Sequence, residues 1–112
     1  MGKKGATLIK KATDSCRQTV EALSGSGEIT SKKMFGGYGI FEGGVMFALV
    51  NSEGELFLKV NDQNINRFEE AGSKKHGKMP YYEVPEQVLK DHALFVEWAQ
   101  VSIEIAHSSK KK

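Results

Sequence analysis

Three histidines, one cysteine and a Tyr-Tyr-Glu triplet are the residues of this 112-residue chain best suited to acid–base, nucleophilic or ligand chemistry. His76, His92 and His107 stand far apart, without the His-x-x-x-His or His-Glu spacing that sets two ligands on one helix face. They read as solvated side chains. Cys16 is the only cysteine, which excludes an intrachain disulfide and a cysteine-based zinc site. Its spacing of four from Ala12 and from Val20 makes it a small core residue rather than a thiolate nucleophile. No Ser-His-Asp arrangement follows from the sequence, and neither a cofactor nor a metal is expected. Tyr81, Tyr82 and Glu83 bring two rings with polar tips beside a carboxylate, enough for a small-molecule pocket. In an extended segment alternate residues face opposite ways, so cross-strand packing with one ring in and one out is the simpler expectation.

The glycines of Lys32-Lys33-Met34-Phe35-Gly36-Gly37-Tyr38-Gly39-Ile40-Phe41 invite a phosphate-loop reading. That chemistry needs backbone amides at a helix N-terminus. Here another strand follows, so the glycines serve tight hairpin turns. Lys32, Lys33, Lys59 and Arg67 are candidates for a basic patch near the sheet edge, against which stands the ordinary reading of solvated cations.

The elements that position these residues follow from periodicity. Ile9, Ala12, Cys16, Val20 and Leu23 mark the apolar stripe of a helix over about residues 7–23, ended by Ser24-Gly25-Ser26-Gly27. Strands are predicted over 29–34, 38–41, 45–50 and 55–60, separated by Gly36-Gly37, Gly43-Gly44 and Asn51-Ser52-Glu53-Gly54. In the last of them Leu56, Leu58 and Val60 face one way, and Phe57 and Lys59 the other. One sheet face should pack on helices while the other is only partly covered, leaving Phe57 on a surface. Asn61 or Asp62 caps a short helix through Ile65 and Phe68 to Ala71, with Gly72 just past its end. Residues 79–84 form a short extended segment at an edge, since Pro80 limits pairing. Pro85 starts, and Asp91 caps or jogs, a long C-terminal helix. Its core stripe is read as Leu94, Trp98, Val101 and Ile105. The fold expected is α+β: an antiparallel meander of four to five strands carrying an N-terminal helix, a short middle helix and a long C-terminal one.

Lys33-Met34-Phe35-Gly36-Gly37-Tyr38-Gly39, Gly44-Val45-Met46-Phe47-Ala48-Leu49, Leu56-Phe57-Leu58-Lys59, Phe68 with Gly72, and Met79-Pro80-Tyr81-Tyr82-Glu83-Val84-Pro85 occur in that order, followed by Trp98. Over about residues 20–106 the chain resembles the TfoX N-terminal domain family, whose best-known members are the competence regulators also called Sxy. The resemblance implies an α+β fold and a non-enzymatic, transcription-regulating class of function. The full-length regulators continue into a second, helical domain with no counterpart in these 112 residues.

Composition sets the remaining bounds. One domain is expected over 1–112, with an ordered core about 7–107 and fraying lysine-rich ends. The longest apolar run, 45–50, is far shorter than the roughly 20 residues a membrane helix needs. The charged N-terminus leads into no apolar stretch of about 7 to 15 residues. A cytoplasmic location and no membrane partner are therefore expected. Without Lys3, Lys4 and the last three lysines the formal charge falls from +2 to −3, so any nucleic-acid contact should be weak, salt-sensitive and carried by terminal lysines with Lys32 and Lys33. The expected function is a regulatory interaction module with a protein partner, possible transcription machinery included. Lys32, Lys33, Phe57, Lys59, Arg67, Tyr81 and Tyr82 are the candidate surface.

Overall fold

Ala12, Cys16, Thr19 and Leu23 are buried at the three- and four-residue spacing of one helix face. The computed structural model describes residues 2–34 and 36–110, and the side chains of 11–34 and 36–109. Helix α1 (Gly2–Ala22) begins well before the expected start near residue 7, because Lys3, Lys4 and Ala6 favour helix enough to carry Gly5. The side chains of Ile9 and of Lys3, Lys4 and Lys10 lie outside the described ones. A 3-10 turn, Ser24–Ser26, ends this layer where the serine-glycine run was expected to end it.

The chain then forms β1 (Ile29–Met34), β2 (Gly37–Glu42), β3 (Val45–Val50) and β4 (Leu56–Lys59). With β5 (Tyr81–Glu83) they make one antiparallel sheet in the order β1-β2-β3-β4-β5. Every neighbour in the sheet is a neighbour in sequence, as the expected meander requires. Strict alternation fails once. Ile40 pairs with Ala48 but Phe41 pairs with Met46, so Phe47 is the extra residue of a bulge. Phe47 and Ala48 are consequently both buried in the main core, while Met46 turns to the opposite face and packs with Leu49, Phe57 and Tyr81.

The main core lies between one sheet face and the helices. It is built from Ile40, Phe47, Ala48, Val50, Leu56 and Leu58 of the sheet, Val60 just past β4, and Phe68, Val88, Phe95, Ala99, Ile103 and Ala106 above them. Helix α2 (Ile65–Glu70) is entered through asparagines: Asn61 Oδ1 accepts from Gln63 N at 2.7 Å and Asn64 Oδ1 accepts from Asn61 N at 2.9 Å. Asp62 takes no part. The helix ends in a Schellman turn, with Ser73 N donating to Phe68 O and Gly72 N to Glu69 O, both at 3.0 Å. Gly72, at φ 77°, supplies the left-handed residue that turn requires.

Helix α3 (Glu86–Leu89) and helix α4 (His92–Lys110) are separated at Asp91, whose Oδ1 accepts from Leu94 N at 3.2 Å. The long helix is rotated from the expected stripe. Phe95, Ala99, Ser102, Ile103, Ile105 and Ala106 are buried, whereas Leu94 and Trp98 are half-buried against the core and Val101 is half-buried too. Small residues explain the rotation: Ala99, Ser102 and Ala106 let α4 approach closely enough for Ser102 Oγ to donate to Lys59 O at 2.8 Å. The helix also continues past His107 to Lys110. The fraying expected of Lys111 and Lys112 lies outside the described residues.

Candidate interaction surface

The two edges of the sheet are treated differently. On the β5 side, Lys75 pairs with Tyr82, Glu83 N donates to Lys74 O at 3.0 Å and His76 N donates to Tyr81 O at 2.9 Å. Residues 74–76 thus seal that edge. The His76 ring stands edge-on to Phe57 with centroids 4.9 Å apart, and its Nδ1 is buried without a hydrogen-bond partner.

Phe57 is not a surface residue. It is 2% exposed, because Leu49, Tyr81 and the 74–76 segment close over it on the face away from the helices. Tyr81 is buried beside it, and burial pushes its phenol up to about 12. Tyr82 points to the helix side, its ring 6.1 Å from Phe68. The tyrosine pair is therefore one ring to each face, as alternation predicts, and makes no joint pocket.

The basic candidates do not gather either. By register Lys32 shares a cross-strand row with Gly39, Leu49, Phe57 and Glu83, on the face away from the helices. Lys33 lies opposite Tyr38, on the helix side. Lys59 stands across the sheet beside Tyr81. Arg67 sits on α2 with its guanidinium 4.9 Å from the Trp98 ring centre, a cation–π contact that also covers the edge-on pair of Trp98 and Phe68 at 4.8 Å. Lys32 and Lys33 are both exposed on the outermost strand, whereas Lys59 is half-buried.

Along the helix-side flank of that strand runs a groove of about 270 Å³ between α1 and β1. Cys16, Val20 and Tyr38 form its apolar wall, Ser31 its strand side, and Arg17 and Glu21 its rim. Thr13 Oγ1 lies 2.9 Å from the Tyr38 hydroxyl, fixing the ring as part of the wall. Sequence reasoning missed this groove. Cys16 is buried as its stripe predicts and Val20 is half-buried against the core, but the stripe alone does not show that the helix lies near a sheet edge; the polar flank of Arg17 and Glu21 is the one local signal of it.

A larger cleft, about 660 Å³, opens between α1, the β3–β4 turn, β5 and the start of α4. Its floor carries a carboxylate pair. Lys74 Nζ donates to Glu55 Oε2 at 2.9 Å and Asn51 Nδ2 to Glu55 Oε1 at 2.8 Å, which hold Glu55 below the usual carboxylate range, Lys74 first. The same bond holds Lys74 above its usual value. Glu83 is raised, first by burial and then by the charge of Glu55. The signs oppose one another. Glu55 contributes stability that is present above its unfolded titration and lost as pH falls through its lowered value; Glu83 when ionised works against the fold over the range above its unfolded titration. Glu55→Gln should therefore lower the urea midpoint at neutral pH and converge with the parent in acid, whereas Glu83→Gln should leave the midpoint unchanged or raise it. Melts of both variants at about pH 7 and pH 3, either side of the carboxylate range, check this.

His107 departs from the expected solvated state. Its Nε2 lies 2.6 Å from Glu42 Oε1 and 3.1 Å from Glu42 O, while Glu42 Oε2 accepts from Glu28 N at 3.0 Å. Glu42 is held low by the Glu28 N–H and then by His107. The pair ties the last turns of α4 to the β2–β3 hairpin. His92 is exposed at the start of α4 and His76 is half-buried. Among the described residues, no group of three or more His, Cys, Asp or Glu side chains converges as a metal site would, and no described helix is long and apolar enough to cross a membrane.

A family model, the TfoX N-terminal domain, matches residues 21–106. The chain belongs to the TfoX N-terminal domain family. The match runs from the end of α1 to the last turns of α4, so it takes in the whole sheet. It leaves most of α1 outside. No curated protein matches the chain.

Proposed function

We propose that this TfoX N-terminal domain is a non-enzymatic regulatory module that acts by binding another protein, in the manner of a competence-regulator-type domain. The observation that supports it is the asymmetry of the sheet. One edge is sealed by residues 74–76, and the other, β1, presents exposed lysines beside an apolar groove. A surface that pairs main-chain groups with a neighbouring apolar slot suits a polypeptide better than a small substrate. Family membership supplies the regulatory class.

Capture on the immobilised full chain from a nuclease-treated native extract tests the reading. The expected result is one defined polypeptide retained at about 200 mM salt, where phosphate contacts have largely weakened. Tight retention of duplex DNA at the same salt, with a preference between two unrelated sequences, would replace it with direct nucleic-acid recognition.

A further inference from the structure

We infer that the free edge of β1 captures an extended, acidic segment of a partner protein as a sixth strand, with one apolar side chain seated in the groove between α1 and β1. This deepens the reading of a protein-binding module and rests on it.

The backbone carries the first part of the case. β1 pairs with β2 alone, and among the described residues no main-chain hydrogen bond outside the sheet ladder involves residues 29–34. An edge strand of this kind offers a row of unpaired donors and acceptors. Six residues span about 20 Å at strand rise, room for a peptide of similar length. The far edge, closed by the protein's own chain, has no such vacancy to offer.

Side chains decide the register and the occupant. Ser31 pairs with Ile40 of the main core, so Ser31 and Lys33 face the helix side while Thr30 and Lys32 face away. An added strand repeats this alternation. One of its side chains then enters the slot walled by Cys16, Val20 and Tyr38, with its neighbours two positions away on the same face near Lys33 and Arg17. Residues of the opposite parity meet Lys32. Neither Lys32 nor Lys33 has an ion-pair partner among the described residues, and Arg17 reaches Asp14 only at 3.8 Å. Glu21 is the acidic group on the rim, and it is outnumbered by these three cations. A second copy of the chain is disfavoured, since antiparallel β1 to β1 pairing gathers four lysines into one short ladder and like charges across strands repel. Glutamate or aspartate one and two positions to either side of a Val, Leu or Ile satisfies both faces.

The test uses the full chain and a capped, fluorescein-labelled peptide, Thr-Glu-Glu-Leu-Glu-Glu-Thr, whose acids flank the leucine on both faces, with a peptide in which every acid is lysine as its control. The acidic peptide should bind, slow amide exchange at alternate residues of 29–34, and leave β5 unchanged. In the double variant K32E/K33E the acidic peptide should lose affinity at least about tenfold and the lysine peptide gain it, because two attractive cross-strand pairs become repulsive. Ser31→Trp should block the groove and abolish binding with the far-ultraviolet spectrum intact. No slowing of β1 amides at saturating peptide, an affinity indifferent to K32E/K33E, slowing by an oligothymidylate in place of the peptide, or a concentration-dependent dimer that buries β1 would each overturn the inference. Partner capture separates it from the broader reading: a partner held equally by the parent and by K32E/K33E sinks the β1 edge and keeps the module, whereas failure to capture any polypeptide counts against the module while the peptide titration still decides the edge.

Discussion

Phe57→Ala should destabilise the protein by about 3 to 5 kcal/mol, the range for truncating a buried aromatic ring. Phe57 is 2% exposed on the sheet face that carries no helix, and it is what the second cluster is built around: Leu49 across the ladder, Tyr81 on the next strand and the His76 ring edge-on. Truncation leaves a cavity and also removes the surface against which residues 74–76 lie. The hydrogen bonds His76 N to Tyr81 O and Glu83 N to Lys74 O should then open together. Urea unfolding gives the first effect, and amide exchange at His76 and Glu83 the second. A loss below about 1 kcal/mol, typical of a surface substitution, would show that this face is open and that Phe57 is available to a partner.

The Phe57 result bears on how much of the structure is legible in the residues. The strand boundaries were readable because glycine pairs and the Asn51–Gly54 turn interrupt β-rich runs, and β1 and β3 fall where periodicity places them. The direction in which Phe57 points was readable too. Its burial was not, since it depends on a polar segment, 74–76, folding back by main-chain hydrogen bonds that leave no trace in hydropathy. The bulge at Phe47 is hidden for a related reason: in an apolar run such as Val45–Val50 every position looks buried, so one extra residue shifts the alternation unseen. In α4 two stripes overlap, and the larger residues Leu94 and Trp98 draw attention from Ala99, Ser102 and Ala106, which actually face the sheet. Small residues are chosen there by the closeness of the helix, a tertiary fact.

The candidate surface was legible only as composition. Lys32, Lys33, Lys59 and Arg67 are all basic, but period-2 geometry sends Lys32 and Lys33 to opposite faces, and Arg67 is taken up by Trp98. What makes the two strand lysines notable is their place on an unpaired edge beside Val20 and Tyr38. That conjunction joins residues of α1, β1 and β2, and no local pattern contains it.

Gly37→Ala should cost about 2 to 3 kcal/mol, in the upper part of the range for overpacking, and Gly39→Ala markedly less. Both glycines are buried in β2, and neither is among the positive-φ glycines, so the difference is one of space. A Cβ on Gly37 would overlap the Val50 carbonyl oxygen and stand 3.0 Å from its carbon. Those are backbone atoms of β3, held in the ladder by the pairing of Tyr38 with Val50 and of Val50 with Leu56, so relief requires moving one strand from the next. A Cβ on Gly39 would instead meet Met46 Sδ at 2.9 Å and Met34 Sδ at 3.1 Å, the mobile ends of two side chains that can turn aside. Urea melts of the two variants should separate clearly, with Gly37→Ala also speeding amide exchange in β2 and β3. Equal losses would mean that β2 and β3 do not approach closely at Gly37, against the pairing of Tyr38 with Val50 beside it.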